Sequence, residues 1–167
     1  MGSFGPPDLV LVALIAKSLS HQYEDEMESK APILMISDGR RSAEEAGRLL
    51  REAGHRVALC GGGLVPYAAC PLLKAGSCPV AEAAGVIIFA LAPLPQTFGR
   101  SYGGAELLKA YRSHPYLSKV PMVLVSDGHL GDVAGEGPVE FVGASARPKA
   151  IASAAERLCA GLVTVGG

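Results

Sequence analysis

The sequence predicts an α/β domain: a doubly wound parallel sheet of five strands with helices on both faces, preceded by one extra N-terminal helix. Three observations lead there. Short apolar runs recur at Ile33–Ile36, Val57–Leu59, Val86–Leu91, Met122–Val125 and Val139–Val142. Most are unbroken by polar residues, as expected of strands buried on both faces. Segments with apolar residues at helical spacing alternate with them, which implies a parallel sheet with right-handed crossovers.

At 167 residues the chain is the size of one domain with a real core. Its 15 basic and 16 acidic side chains nearly cancel, so nothing draws it to nucleic acid or an anionic membrane. With no Trp and few aromatics, a base-stacking surface is not expected. No stretch approaches the roughly 20 apolar residues of a membrane span, and the start lacks the basic, long-cored pattern of a signal peptide. The chain therefore reads as cytoplasmic, and its four cysteines as free thiols.

Residues 1–30 read as a helix and linker ahead of a domain at 31–167. Pro6 and Pro7 suit a first helical turn. Leu9, Val12, Ala13, Ala16 and Leu19 share one face, but Val10, Leu11, Leu14 and Ile15 make the other side apolar too. A helix apolar all round is buried on more than one side. It packs on its own domain or pairs with a second copy, and its two apolar sides favour dimerisation. The acidic run Glu24, Asp25, Glu26 and Glu28 reads as a frayed end or solvated linker.

After the first strand, Ser42 and Glu45 have capping-box spacing. Ala43, Ala46, Leu49, Leu50 and Ala53 then follow helical spacing, with Gly54 as the stop. Cys60 to Ala84 reads as an irregular crossover. Its Gly61-Gly62-Gly63 lacks the Lys-Ser/Thr of a phosphate-cradling loop. Gly103 and Gly104 precede a helix with Leu107, Leu108 and Tyr111, ending before Pro115. Residues 127–137 are Gly-rich without helical period. Pro148 opens a last helix with Ile151, Ala154, Ala155 and Leu158 on one face.

From about Pro32 to Leu162 the chain resembles a response-regulator receiver domain (CheY-like), a flavodoxin-like fold. One stretch that carries the likeness is Ile33-Leu-Met-Ile-Ser-Asp38, with the helix ending Arg51-Glu-Ala-Gly54. The other runs from Ala105 through Pro115 to Val120-Pro-Met-Val-Leu-Val-Ser126. In receivers two acidic residues end the first strand and hold a divalent cation; here they are Ser37 and Asp38, one carboxylate for a cation that wants several oxygens. The phospho-accepting Asp stands four residues before a Pro after the third strand, and counting back from Pro93 gives Phe89, which has no nucleophile. The hydroxyl after the fourth strand is kept as Ser126. No Lys follows the fifth strand at Gly143 or Ala144, and Lys149 lies farther on.

The resemblance thus implies a degenerate pseudo-receiver: a non-catalytic module of two-component signal transduction that accepts no phosphoryl group. It needs no cofactor and works through a protein partner or as a homodimer. Asp38 has a plainer role in capping the next helix or in pairing with Arg40 or Arg41, and Ser126-Asp127-Gly128 a plainer role as a turn. Two alternatives stay open. Cys60, Cys70 and Cys78 lie in one crossover and point to a metal or redox sensor, although C-x9-C-x7-C matches no standard zinc spacing. Asp38, Arg100 and Ser126 point to a small-molecule-binding flavodoxin-like domain.

Overall fold

The computed structural model describes residues 30–60, 70–91, 104–126 and 136–165. The N-terminal helix expected before residue 30, the glycine run at 61–63, the loop with Arg100 and the Gly-rich stretch from Asp127 lie outside them.

Five strands form one all-parallel sheet: β1 (Ile33–Ser37), β2 (Val57–Cys60), β3 (Val86–Ala90), β4 (Met122–Val125) and β5 (Val139–Val142). Their order is β2-β1-β3-β4-β5, the flavodoxin-like arrangement. All five expected strands are present, each within one residue of its expected end. β1, β3 and β4 are buried along their whole length, whereas the edge strands β2 and β5 are half-exposed. Unbroken apolar runs thus mark the inner strands, where helices cover both faces.

Helix α1 (Arg41–Glu52) joins β1 to β2, and α5 (Pro148–Val165) follows β5. The two pack together on one face. Ala43, Ala46 and Leu50 meet Ile151, Ala154 and Ala155 over Ile33, Met35, Val86, Ile88, Val123 and Val125. Small residues let α1 lie close: a Cβ on Gly47 would stand 3.3 Å from Met35 Sδ. On the opposite face α2 (Pro71–Ala75), α3 (Pro79–Glu82) and α4 (Gly104–Ser113) cover the sheet. There Leu72, Ala81, Leu107, Leu108 and Tyr111 bury Leu34, Ile36, Ile87, Phe89, Met122 and Leu124. No helix among the described residues is long and apolar enough to cross a membrane.

The end of α1 follows the expectation. Gly54 adopts φ +85° and donates to Arg51 O at 2.9 Å, and His55 N–H reaches Leu50 O at 2.9 Å. That pair of bonds is a Schellman stop, which needs a left-handed residue. The start of α1 differs. Arg40 is the N-cap, and its carbonyl receives the N–H groups of Ala43 and Glu44. Ser42 is already inside the helix, so its hydroxyl cannot cap, and Glu45 is held by Arg48 Nε at 3.1 Å instead. The capping box does not form because the backbone turns helical one residue before Ser42.

The second crossover is not wholly irregular, since it contains α2 and α3. Cys70 and Cys78 are their N-caps in extended conformation, each followed by Pro at the first helical position. A residue before Pro is pushed out of the helical region, and Pro fits a first turn because an N–H there would have no partner within the helix.

After α4 a 3₁₀ helix (Leu117–Lys119) leads to β4. Gly137 wedges against it: its N–H donates to Ser118 O at 2.8 Å, and a Cβ there would stand 2.4 Å from Lys119 O. Gly137→Ala is therefore expected to cost about 1–3 kcal/mol, the usual penalty of overpacking. Gly161→Ala, in the open interior of α5, is expected to gain up to about 1 kcal/mol from helix propensity. Urea unfolding of the two variants checks the opposite signs.

Candidate functional site

Open α/β sheets bind ligands at the carboxyl ends of their strands. Here that edge is built from the residues after β1, β3, β4 and β5. Strand register places Ile36, Phe89 and Leu124 in one row, with Cys60 completing it on β2. Leu91, just past β3, packs in the same core cluster as Ile36, Phe89 and Leu124, while Asp38 and Ser126 lie just past the ends of β1 and β4.

Ser37 ends β1 and is buried. Its Oγ accepts the N–H of Gly39 at 3.2 Å, closing a turn that Gly39 permits at φ +87°. Asp38 pairs with Arg40, whose Nε lies 3.2 Å from Oδ1 and 3.3 Å from Oδ2.

Phe89 is only 1 % exposed. Its ring meets Tyr111 of α4 edge-on, with centroids 6.3 Å apart and planes at 75°, a favourable aromatic geometry. It belongs to the core rather than to an open pocket. Leu91, the next residue on this face, is also buried. Ser126 follows β4, and its N–H donates to Val142 O at 2.9 Å. Asp127 and Arg100 lie outside the described residues. Lys149 is exposed in the first turn of α5.

Cys70 is buried in the core beneath α2, α3 and α4, and Cys60 and Cys78 pack against the same cluster. All are free thiols, as is Cys159, which packs on the opposite face. Among the described residues no group of three or more His, Cys, Asp or Glu is placed to hold a metal ion.

Two residues that sequence reasoning passed over tie this domain together. Arg112, at the end of α4, is 8 % exposed and donates to Ser118 O and Gly137 O, both at 3.3 Å. Burial pushes its pKa down from the usual arginine value. His114 receives backbone N–H groups ahead of the 3₁₀ helix. Arg112 carries no local mark because the fold brings Gly137 to it, whereas His114 binds amides only two and three residues on.

Solved structures with the same architecture are receiver domains. The chemotaxis response regulator CheY4 of Vibrio cholerae matches with a TM-score of 0.54 and 18% identity, over 77% of this chain and 98% of that one. The signal receiver domain of a signal transduction histidine kinase from Syntrophus aciditrophicus matches with a TM-score of 0.55 and 17% identity, over 78% and 91%. The N-terminal domain of a response regulator/sensory box/GGDEF three-domain protein from Carboxydothermus hydrogenoformans matches at 0.51 and 16%, over 81% and 99%. No family model matches the chain, and no curated protein does. At these identities the likeness is one of fold.

The site and the core make different demands on substitution. Phe89→Ala is expected to cost about 3–5 kcal/mol, as for a buried aromatic. Asp38→Asn, which weakens one half-buried pair, is expected to cost no more than about 1 kcal/mol. Chemical denaturation of both variants measures the difference.

Proposed function

We propose that this chain is a non-catalytic regulatory module, a pseudo-receiver that accepts no phosphoryl group and signals through protein–protein contacts. The fold supports a receiver-like module. One observation carries the rest of the reading: the end of β3 offers hydrocarbon where acyl-phosphate chemistry needs a carboxylate. Phe89 near the end of β3 and Leu91 just after it are both buried and apolar.

The reading does not hinge on one choice of register. From Ala83 through Ala105 the chain contains no Asp or Glu at all. Sliding the alignment by a few residues either way therefore restores no acceptor. The cation site is reduced in parallel, with Ser37 turned to the Gly39 amide and Asp38 to Arg40. Gly143 and Ala144 leave no lysine directly after β5.

In this reading the aromatic pair of Phe89 and Tyr111 joins the carboxyl end of β3 to α4 without any switchable charge. The module holds one conformation and presents it to a protein partner or a second copy. Its place is the cytoplasm, beside the components of a two-component pathway.

The test is intact-mass measurement of the wild-type chain after incubation with acetyl phosphate and Mg²⁺. The expected result is no phosphoryl adduct. A stable adduct that disappears on treatment with hydroxylamine, as an acyl phosphate does, would sink the reading and make the chain a working switch.

A further inference from the structure

His114 stands at the junction of α4, the 3₁₀ helix and α3. Pro115 has no N–H, and the next three N–H groups all end on His114. Those of Tyr116 and Leu117 reach its Nδ1, each at 3.2 Å, and that of Ser118 reaches its carbonyl at 3.0 Å. The ring thus caps the turn that leads into β4. An imidazole nitrogen that accepts hydrogen bonds carries no proton. The neutral ring must hold its proton on Nε2.

Nε2 lies 3.7 Å from Glu82 Oε1 on α3. That is too long for a hydrogen bond, yet within reach of an ion pair once the ring is charged. Glu82 is itself fixed, because the same oxygen accepts the N–H of Cys78 at 3.1 Å. Other charges nearby are engaged or turned away. Lys119 faces Glu136 at 3.6 Å, and Arg112 binds the carbonyls of Ser118 and Gly137. Lys74 on α2 is exposed and has no ion pair among the described residues.

We propose that His114 is a pH-responsive latch. Neutral, it holds the 116–117 amides on Nδ1. Protonated, it cannot accept them, and the ring turns its charge to Glu82. Imidazole is the one side chain that ordinarily changes charge between pH 5 and 8. The latched segment presents the exposed Tyr116, and Ser118 O is the acceptor shared by Gly137 and Arg112. Unlatching therefore alters a surface patch and the fastening of the segment that enters β5. This inference is independent of whether the chain accepts phosphate.

The experiment is residue-resolved NMR on the full chain as the pH is lowered from about 8 to about 5.5. The expected result at the upper end is a His114 ring with the proton on Nε2 and a bare Nδ1. As that ring titrates, amide exchange at Tyr116 and Leu117, corrected for the intrinsic effect of pH, should speed up by about tenfold or more. His114→Asn keeps an acceptor oxygen in place of Nδ1 but cannot titrate, so its protection at 116 and 117 should stay level over the same range. A proton on Nδ1 at the upper pH overturns the proposal. So does unchanged protection at both amides while the ring titrates, or an equal loss of protection in His114→Asn. If that variant does not fold, the wild-type tautomer and exchange data decide alone.

Discussion

The pairing of β1, β3 and β4 buries one block of hydrocarbon from both sides, and the other elements are arranged to cover it. Removing apolar area from water is the main favourable contribution to folding, and these strands have no polar side to leave wet. Two layers of helix are required as a consequence. On one face α1 and α5 meet through alanines, and Gly47 lets α1 lie close on Met35 of the sheet. On the other, three shorter helices share the task, with α2 and α3 each opening at a Cys-Pro step.

The same constraint sets the character of the candidate site. In this sheet the core continues to the carboxyl edge, where Phe89 and, just past β3, Leu91 are both buried. An aromatic side chain at that point adds packing against Tyr111 and excludes water. Asp38, just past the end of β1, is held by Arg40 two residues on.

Away from that edge, polar side chains act as fasteners between elements. Arg112 and His114 both lie at the end of α4, and both secure the short path from that helix into β4. Arg112 does so through carbonyls and His114 through amides. The exposed Phe141, 67 % accessible, pairs in register with Leu124 on the edge strand β5. There the sheet has fewer neighbours to cover it than at its centre.

The five strands, their parallel order of connection and the Schellman stop at Gly54 were legible in the chain, since each rests on a local pattern: an apolar run, an alternation, a glycine after a helical period. So was the lack of an acid near the end of β3, which is a matter of composition alone. The start of α1 was misread because Ser42 and Glu45 have the right spacing, yet spacing does not say where the backbone turns helical. The helices after Cys70 and Cys78 had a signal in their prolines, but four or five residues show no period. What the sequence by itself determined is which segments must be buried and that no carboxylate stands near the end of β3, because residue type decides both. Only the tertiary structure decided that Phe89 is core against Tyr111 and that His114 lies beside Glu82. Those facts depend on which side chains and backbone groups from distant segments meet, and packing alone settles that.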